Sequence, residues 1–455
     1  MSYQLDLLAS LPPAVLALCD KLRAGGKRGW IVGGSVRDLL RGVPVSDYDI
    51  ATDARPEEVK KLFAKVIPTG IEHGTVTVLM QGVPYEVTTL RGEGNYTDGR
   101  RPDAITFLDD IEDDLARRDF TVNAIALDPA SGALIDPWGG QKDLERGVLR
   151  AVGDPEARFR EDGLRVLRAA RFVATLEATL DEATSRAIGQ TLETFRKVSP
   201  ERVREEWLKT MKAKRPSRAF DVMLQTGILG VTCPELAESF GCEQNRYHAF
   251  DVWGHAMSCL DACEGDAFLR VSALLHDVGK PRTRAFSDKT SDWTFYEHER
   301  VGADMADGIL SRLRFSNQDR ERIVHLVRHH LLCYEPTWSD AAVRRWLQRV
   351  GTDRVHDLYA LARADALGKG KDEADQLAQV ELLRARAEKV LAAGDAITVK
   401  ALVVNGSDLM KELGLSPGRH IGTLLEALLE QVLEEPVVNT REELLRRARA
   451  LSVKG

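Results

Sequence analysis

The sequence predicts an α+β protein, a small α/β head followed by an elongated all-helical body. Residues 28 to about 150 mix apolar runs of strand character with a helical run. After 150 strand signals nearly vanish, and Leu, Ala and Arg recur at helical spacing to the end. A chain of 455 residues also exceeds one compact core, so several domains are expected. Hydrophobic content of 44% and charged content of 29% describe an ordinary globular chain.

In order, residues 1–27 read as a helix that stops at Gly25-Gly26. The runs "GWIVGG", "GTVTVLMQGVPYEVTTL" and "GALIDPW" read as strands, and "PEEVKKLFAKV" reads as a helix. Between them, "RGEGNYTDGRRPDAITFLDDIEDDL" is polar, glycine-containing and long, which predicts a mobile functional loop over about Gly92 to Leu115. Breaks near 198, 233, 284–292, 336 and 394 separate the helices of the body. The expected domains are 1–150, 151–245, 246–375 and 376–455.

A net charge of −7 argues against a surface coated in positive charge for bulk nucleic-acid binding. It leaves room for a local basic groove, and the arginine-rich "RFREDGLRVLRAARF" could supply one. No apolar run approaches a membrane span, and no basic region precedes an apolar leader, which predicts a cytoplasmic protein with no membrane partner. The six cysteines form no CxxC pair, in keeping with a reducing compartment.

Residues 29–52, "GWIVGGSVRDLLRGVPVSDYDIAT", carry the first chemistry. In a strand, residues i and i+2 face one side, so Asp47 and Asp49 would point into one pocket. Adjacent hard carboxylates suit Mg²⁺, and a pair of such ions can clamp both oxygens of an in-line phosphoryl displacement. Glu86, in "VPYEVTTL", offers a third carboxylate from another strand. Gly33 and Gly34 lack side chains, so their amides can approach a triphosphate closely, with Arg37 following in "SVRDLL". The bland alternative is a glycine turn and a solvated loop.

Gly-Gly-x-Val-Arg-Asp followed by Asp-x-Asp resembles the signature of class II tRNA nucleotidyltransferases (CCA-adding enzymes) and bacterial poly(A) polymerases. The resemblance runs motif after motif over most of the chain. It implies a small sheet-and-helix head whose two metal-binding aspartates match Asp47 and Asp49. "RRDFTVNAIA" (117–126) resembles the family segment that holds the sugar and triphosphate of the incoming nucleotide. There Arg118 supplies fixed charge, and Asp119 and Asn123, four apart on a helix, would share one face.

"EDGLRVLRAARF" (161–172) places Asp162 and Arg165 three apart on one helical face. A carboxylate only accepts hydrogen bonds and a guanidinium only donates them. Cytosine and adenine both show an amino donor beside a ring-nitrogen acceptor, and uracil and guanine show the reverse order. An Asp–Arg pair would therefore take C and A and reject U and G, the selection that the resemblance assigns to this motif. The alternative is an i,i+3 salt bridge. Arg168 and Arg171 continue the same helix surface, toward triphosphate, RNA backbone or neighbouring acids. "SPERVREEWLKTM" (199–211) starts with a Ser199 cap and resembles the family's bracing helix, with structural roles for Glu201 and Arg202.

A second constellation lies between 246 and 370, in "RYHAFDVWGHAM", "LLHDVGKPR", "FYEHERVG", "LVRHHL" and "RADALG". His255, His276, Asp277 and Asp365 follow the H…HD…D ligand order of the HD phosphohydrolase superfamily, and His298 and His329 fall where some members place further ligands. Mixed imidazole and carboxylate ligands suit Mn²⁺, Fe or Ni²⁺. The tail, 405–448, resembles the terminal segment of bacterial CCA enzymes that carry an HD domain, within a region (376–455) expected to bind tRNA; by composition alone it is a helical hairpin with a Ser-Pro-Gly turn.

The resemblance therefore implies template-independent addition of CMP and/or AMP to a tRNA 3′ end, from CTP and/or ATP, with Mg²⁺, by a monomer or homodimer. The alternatives are an A-adding-only enzyme, a poly(A) polymerase, and an HD phosphohydrolase with an RNA-binding head. A non-catalytic tRNA-binding factor would not require the aspartates.

Overall fold

The computed structural model describes residues 7–92, 106–371 and 373–452. They form two compact units, Met1–Pro234 and Glu235–Gly455.

In the first unit, strands β1 (Gly29–Val32), β2 (Asp49–Thr52), β3 (Val66–Gly70), β4 (Thr75–Met80), β5 (Val83–Thr89), β6 (Ala126–Leu127) and β7 (Leu134–Ile135) make one sheet, ordered β3-β4-β5-β2-β1-β6-β7. Only β2 and β5 run parallel. Alternation decides what each face does. Ile31, Ile50, Val76, Val78, Tyr85 and Val87 point to one face and join the core with the helices Pro13–Ala24 and Pro56–Leu62. Trp30, Val32 and Ala51 take the other face, with Leu90, Leu115 and Ala126.

"GTVTVLMQGVPYEVTTL" becomes β4 and β5, turned at Gln81-Gly82, whose φ values of 53° and 85° are both left-handed. "PEEVKKLFAKV" is helical only to Leu62; its end leads into edge strand β3, three of whose five residues are exposed and give no apolar signal. Residues 93–105 of the expected loop lie outside the described residues. Its C-terminal part is not a loop. Ile111–Ala116 is a helix, capped by Asp110, whose side chain accepts from the Glu112 amide at 3.0 Å.

The helices Pro155–Glu161, Leu164–Thr175, Glu182–Gln190, Pro200–Thr210 and Ser217–Gln225 follow. Leu164–Thr175 buries Val166, Leu167, Ala169, Ala170 and Val173, which fixes the face its arginines present. Ser199 precedes Pro200–Thr210 but makes no cap hydrogen bond; Pro200 at the first turn starts that helix.

Among the described residues, the second unit is helical apart from a hairpin, Ala285–Ser287 with Asp292–Thr294. One core, including Cys259, Leu269, Leu326, Leu347, Leu358, Leu361 and Leu383, joins the helices between Val252 and Ala392. A separate core of Leu409, Leu425, Leu428, Leu429, Val432, Leu433 and Leu444 joins the three helices Gly406–Leu413, Arg419–Glu434 and Arg441–Ser452. All six cysteines are free, and among the described residues no helix is long and apolar enough to cross a membrane.

Candidate active site and histidine–aspartate centre

On the face of the head sheet opposite its larger core lies a cavity of about 510 Å³. That volume is in the range of small-molecule sites. Asp49 opens β2 directly beside Glu86 of β5, with which it is in register. Because Tyr85 and Val87 point into the core, Glu86 and Thr88 point the other way, into the cavity. Burial first, then the Glu86 and Asp47 charges, raise the Asp49 carboxyl above its ordinary value, while Arg118 pulls it down. Asp47 stands in the loop before β2, exposed, accepting from Ser46 Oγ at 2.9 Å, and does not line the cavity. The expected strand alternation therefore does not reach it.

Gly33 has φ of +73°, and a Cβ there would stand 2.7 Å from Arg118 Nη1. The Gly-Gly turn is thus open backbone beside Asp49 and Arg118. Arg118 is held by Asp114 Oδ2 at 3.2 Å, and Asp114 also takes Arg117 at 2.7 Å. Burial opposes ionisation of Asp114, but these two guanidiniums outweigh it and lower its pKa.

Asp119 and Asn123 do not share a helix: Asp119 precedes the short 3₁₀ turn Thr121–Asn123. They still meet, with Asn123 Nδ2 donating to Asp119 Oδ1 at 3.0 Å. Arg168 grips Asp119 Oδ2 through Nε at 2.8 Å and Nη2 at 2.5 Å, and Arg37 Nη1 donates to Asn123 Oδ1 at 2.7 Å. Burial would raise the Asp119 pKa; the Arg168 charge and these hydrogen bonds hold it at about 2.

Asp162 and Arg165 both line the cavity; the Arg165 amide donates to the Asp162 carbonyl at 3.0 Å, but their side chains do not bond to each other. Asp162 stands just outside Leu164–Thr175, accepting from the Leu164 amide at 3.0 Å and from both Arg202 nitrogens at 2.9 and 3.2 Å. Buried Arg165 donates to the Arg158 and Arg117 carbonyls, each at 3.0 Å, and to Glu161 at 2.6 Å. Neither is an i,i+3 salt bridge; each is oriented by other partners. Arg171 does not line the cavity, because buried Glu206 takes its Nε at 2.6 Å. Sequence reasoning missed the cavity residues Asp114, Arg117 and Phe172, and the cavity position of Arg202; Phe172 carries Arg171 at 4.0 Å and Arg168 at 5.3 Å from its ring centre.

In the second unit, a cavity of about 570 Å³ has a histidine–aspartate floor. His255 Nε2 and His276 Nε2 lie 3.3 and 3.1 Å from Asp277 Oδ2, and His255 Nε2 lies 3.0 Å from Asp365 Oδ1. On the other side of the same carboxylate, His298 Nε2 and His330 Nε2 lie 3.4 and 3.6 Å from Asp277 Oδ1. The second histidine on that side is therefore His330. The expected ligand, His329, packs instead on the His325 ring, 4.5 Å between centres.

His276, His298 and His330 each place Nδ1 2.6–2.7 Å from the carbonyl three residues earlier, which requires the Nδ1–H tautomer and leaves the Nε2 lone pair inward. His255 and His276 then face each other at 3.1 Å through Nε2, which demands a proton or a cation between them. Neither buried Asp277 oxygen accepts a well-directed hydrogen bond, although Lys280 Nζ is 2.6 Å from Oδ2. Burial lowers His255, but Asp277 and Asp365 outweigh it and raise it to about 9; burial, then His276, lowers His330 to about 3. Such a set of converging donors fits a divalent ion.

The sheet head with its carboxylate pair, glycine turn and arginine-lined cavity defines a nucleotidyltransferase class of protein. Family profiles agree: residues 29–150 match the poly(A) polymerase head domain, 179–240 an RNA- and SrmB-binding site of polymerase A, and 285–448 a tRNA nucleotidyltransferase domain 2. The chain is 50% identical to the CCA-adding enzyme of Lactobacillus delbrueckii subsp. bulgaricus, over 94% of each chain. It is 37% identical to the A-adding tRNA nucleotidyltransferase of Deinococcus radiodurans, over 88% of this chain and 90% of that one. The fold matches the Bacillus stearothermophilus CCA-adding enzyme in complex with CTP, with TM-score 0.75 and 28% identity, over 98% of this chain and 100% of that one. The chain belongs to the CCA-adding family of tRNA nucleotidyltransferases.

Proposed function

We propose that the protein adds CMP and/or AMP to the 3′ end of tRNA without a nucleic-acid template. The observation that carries this is one cavity holding both Asp49–Glu86 and Asp162–Arg165, a reaction centre and a base reader. Asp49, Glu86 and the nearby Asp47 fit Mg²⁺: after burial, the Glu86 and Asp47 charges raise the Asp49 pKa, and a hard cation relieves that repulsion. Bound there, Mg²⁺ supplies charge to activate the terminal hydroxyl and to offset that of departing pyrophosphate. Gly33 and Gly34 admit the triphosphate, and Arg118 and Arg37 line its approach. Asn123 and the Asp119–Arg168 pair orient the sugar, while Asp162 accepts from the base and Arg165 donates to it. The proposed regions are the head, 1–150, the base-reading neck, 151–245, a metal-binding domain, 246–375, and a tRNA-binding tail, 376–455, in a cytoplasmic protein.

The likenesses to a CCA-adding and an A-adding enzyme support two specificities. Three tRNA transcripts, ending before CCA, after C and after CC, given each nucleotide separately, decide between them. CMP incorporation on the first two together with AMP incorporation on the third identifies full CCA addition; CMP incorporation without AMP on the third identifies CC addition only; AMP incorporation only on the third identifies an A-adding enzyme. No incorporation of C or A on any transcript overturns the proposal.

A second reading concerns the other unit. The Asp277 carboxylate shared between two histidine groups favours a metal-dependent phosphohydrolase acting on a phosphate at an RNA end. His255, His276, Asp277 and Asp365 would hold one ion, and Asp277, His298 and His330 would extend the site. A Mn²⁺, Ni²⁺ or Fe ion there supplies a water of lowered pKa. Protein loaded with Ni²⁺, Mn²⁺ or Co²⁺ should hydrolyse 2′,3′-cyclic AMP, and a His276→Ala, Asp277→Ala double variant should not. Equal activity in both proteins overturns the reading.

A further inference from the structure

The mouth of the histidine–aspartate cavity carries two tyrosines that the fold does not use. Tyr247 is 61% exposed and Tyr296 is 80% exposed, yet both line the cavity, beside Trp293 and Phe295. Large rings left this open contribute little to folding, and aromatic faces near a polar floor suit a planar ligand.

Both rings are carried on anchored backbone. Next to Tyr247, the Arg246 amide and Nε donate to Asp292 Oδ2 at 3.1 and 2.9 Å, and Arg246 Nη2 donates to the Thr290 carbonyl at 2.7 Å. The segment is thereby tied to the hairpin. Tyr296 stands between buried Phe295, whose carbonyl takes His298 Nδ1 at 2.6 Å, and Glu297, a non-glycine residue at φ of 60°. Left-handed backbone is unfavourable at such a residue, so the surrounding contacts hold it there. The kink leaves Tyr296 outward two residues before an inward-facing histidine.

The floor is chemically different from the mouth. Lys280 Nζ stands 2.6 Å from Asp277 Oδ2, and Lys369 Nζ 3.5 Å from Asp365 Oδ2, so two ammonium groups border the carboxylates. Cations below and aromatic rings above match a phosphate joined to a nucleobase through a sugar.

We infer that this cavity is a second nucleotide site, in which Tyr247 and Tyr296 stack the base of a nucleoside whose 2′- or 3′-phosphate rests at Lys280, Lys369 and the metal-binding residues. The inference rests on the phosphohydrolase reading above and adds to it the recognition of a base. It is tested by titrating the metal-loaded full-length chain calorimetrically with 2′-AMP and with glycerol 2-phosphate, which shares the ester but lacks sugar and base. An Asp162→Ala, Arg165→Ala background removes base reading by the head. Base stacking predicts that 2′-AMP binds about tenfold or more tighter than glycerol 2-phosphate. Tyr247→Ala and Tyr296→Ala should each remove most of that preference, and Phe240→Ala, exposed but outside the cavity, should keep it. Equal binding of the two esters, or loss of affinity for both alike in the tyrosine variants, overturns the inference. Hydrolysis is read separately on the same samples. Base preference without hydrolysis keeps the nucleotide site and sinks the phosphohydrolase reading; hydrolysis without base preference does the reverse.

Discussion

At the residue scale, the head cavity sets charge against charge, and each group has an assignable consequence. Asp49→Ala should abolish incorporation while tRNA affinity stays within a few-fold, because the proposed function gives this carboxylate to the reacting oxygens and the RNA mainly to the body; near-normal turnover would refute its assignment. Asp162→Ala or Arg165→Ala should admit UMP or GMP, since one half of the donor–acceptor pattern is lost. A variant that is slower but equally selective would mean that the pair only supports the fold. Asp119 predicts a pH dependence. Its folded pKa is depressed to about 2, so its contribution is present above its ordinary value and is lost as pH falls through the folded value. Urea unfolding should show the stability advantage over Asp119→Asn shrinking by about 2 kcal/mol as pH falls from about 4 to 2. An advantage that stays constant over that range would rule out this linkage.

At the element scale, the two histidines at the end of the helix Asn317–His329 show what a sequence can and cannot reveal. One residue turns the side chain by about 100° around the helix, so His329 and His330 cannot both face the same centre. The periodicity of "LVRHHL" does not say which one does, because the helix ends there and His330 is its cap residue. Packing of Leu326 and Val327 into the core sets the phase and turns His330 inward. Accordingly His330→Ala should lower the bound-metal content of the purified protein and His329→Ala should leave it unchanged; the opposite pattern would restore the sequence-based choice. Other features were legible for a physical reason. Glu86 follows from strand alternation, and the Gly33 turn from the absence of a side chain. Asp119 was misplaced on a helix because polar residues four apart read as one helical face, whereas extended backbone at Phe120 followed by a 3₁₀ turn brings the two together here. The strand Val66–Gly70 was missed because an exposed edge strand carries no apolar alternation, and Arg171 went to Glu206 because sequence gives a residue's face but not its nearest acid.

At the scale of the whole molecule, the two candidate ligand sets fall in different compact units: the residues lining the head cavity lie within Met1–Pro234 and the histidine–aspartate centre within Glu235–Gly455. Each unit has its own buried core, so ligands should stabilise them separately. A ligand that binds only the folded form adds RT ln(1 + [L]/Kd), about 2.7 kcal/mol at a hundredfold excess over Kd. Scanning calorimetry of the full chain should therefore resolve a transition that rises with Ni²⁺ or Mn²⁺ and falls on chelation, and another that rises with CTP and Mg²⁺. The assignment of each transition follows from variants: His276→Ala, Asp277→Ala should remove the response to Ni²⁺, and Asp49→Ala should remove most of the response to Mg²⁺ with CTP. If either ligand moved every transition equally, the chain would unfold as one cooperative body and stability could not be divided between the units. If Ni²⁺ moved none, the converging histidines would be a buried hydrogen-bonded cluster, with the proton on His255, raised to about 9, supplying the positive charge that its two carboxylates require.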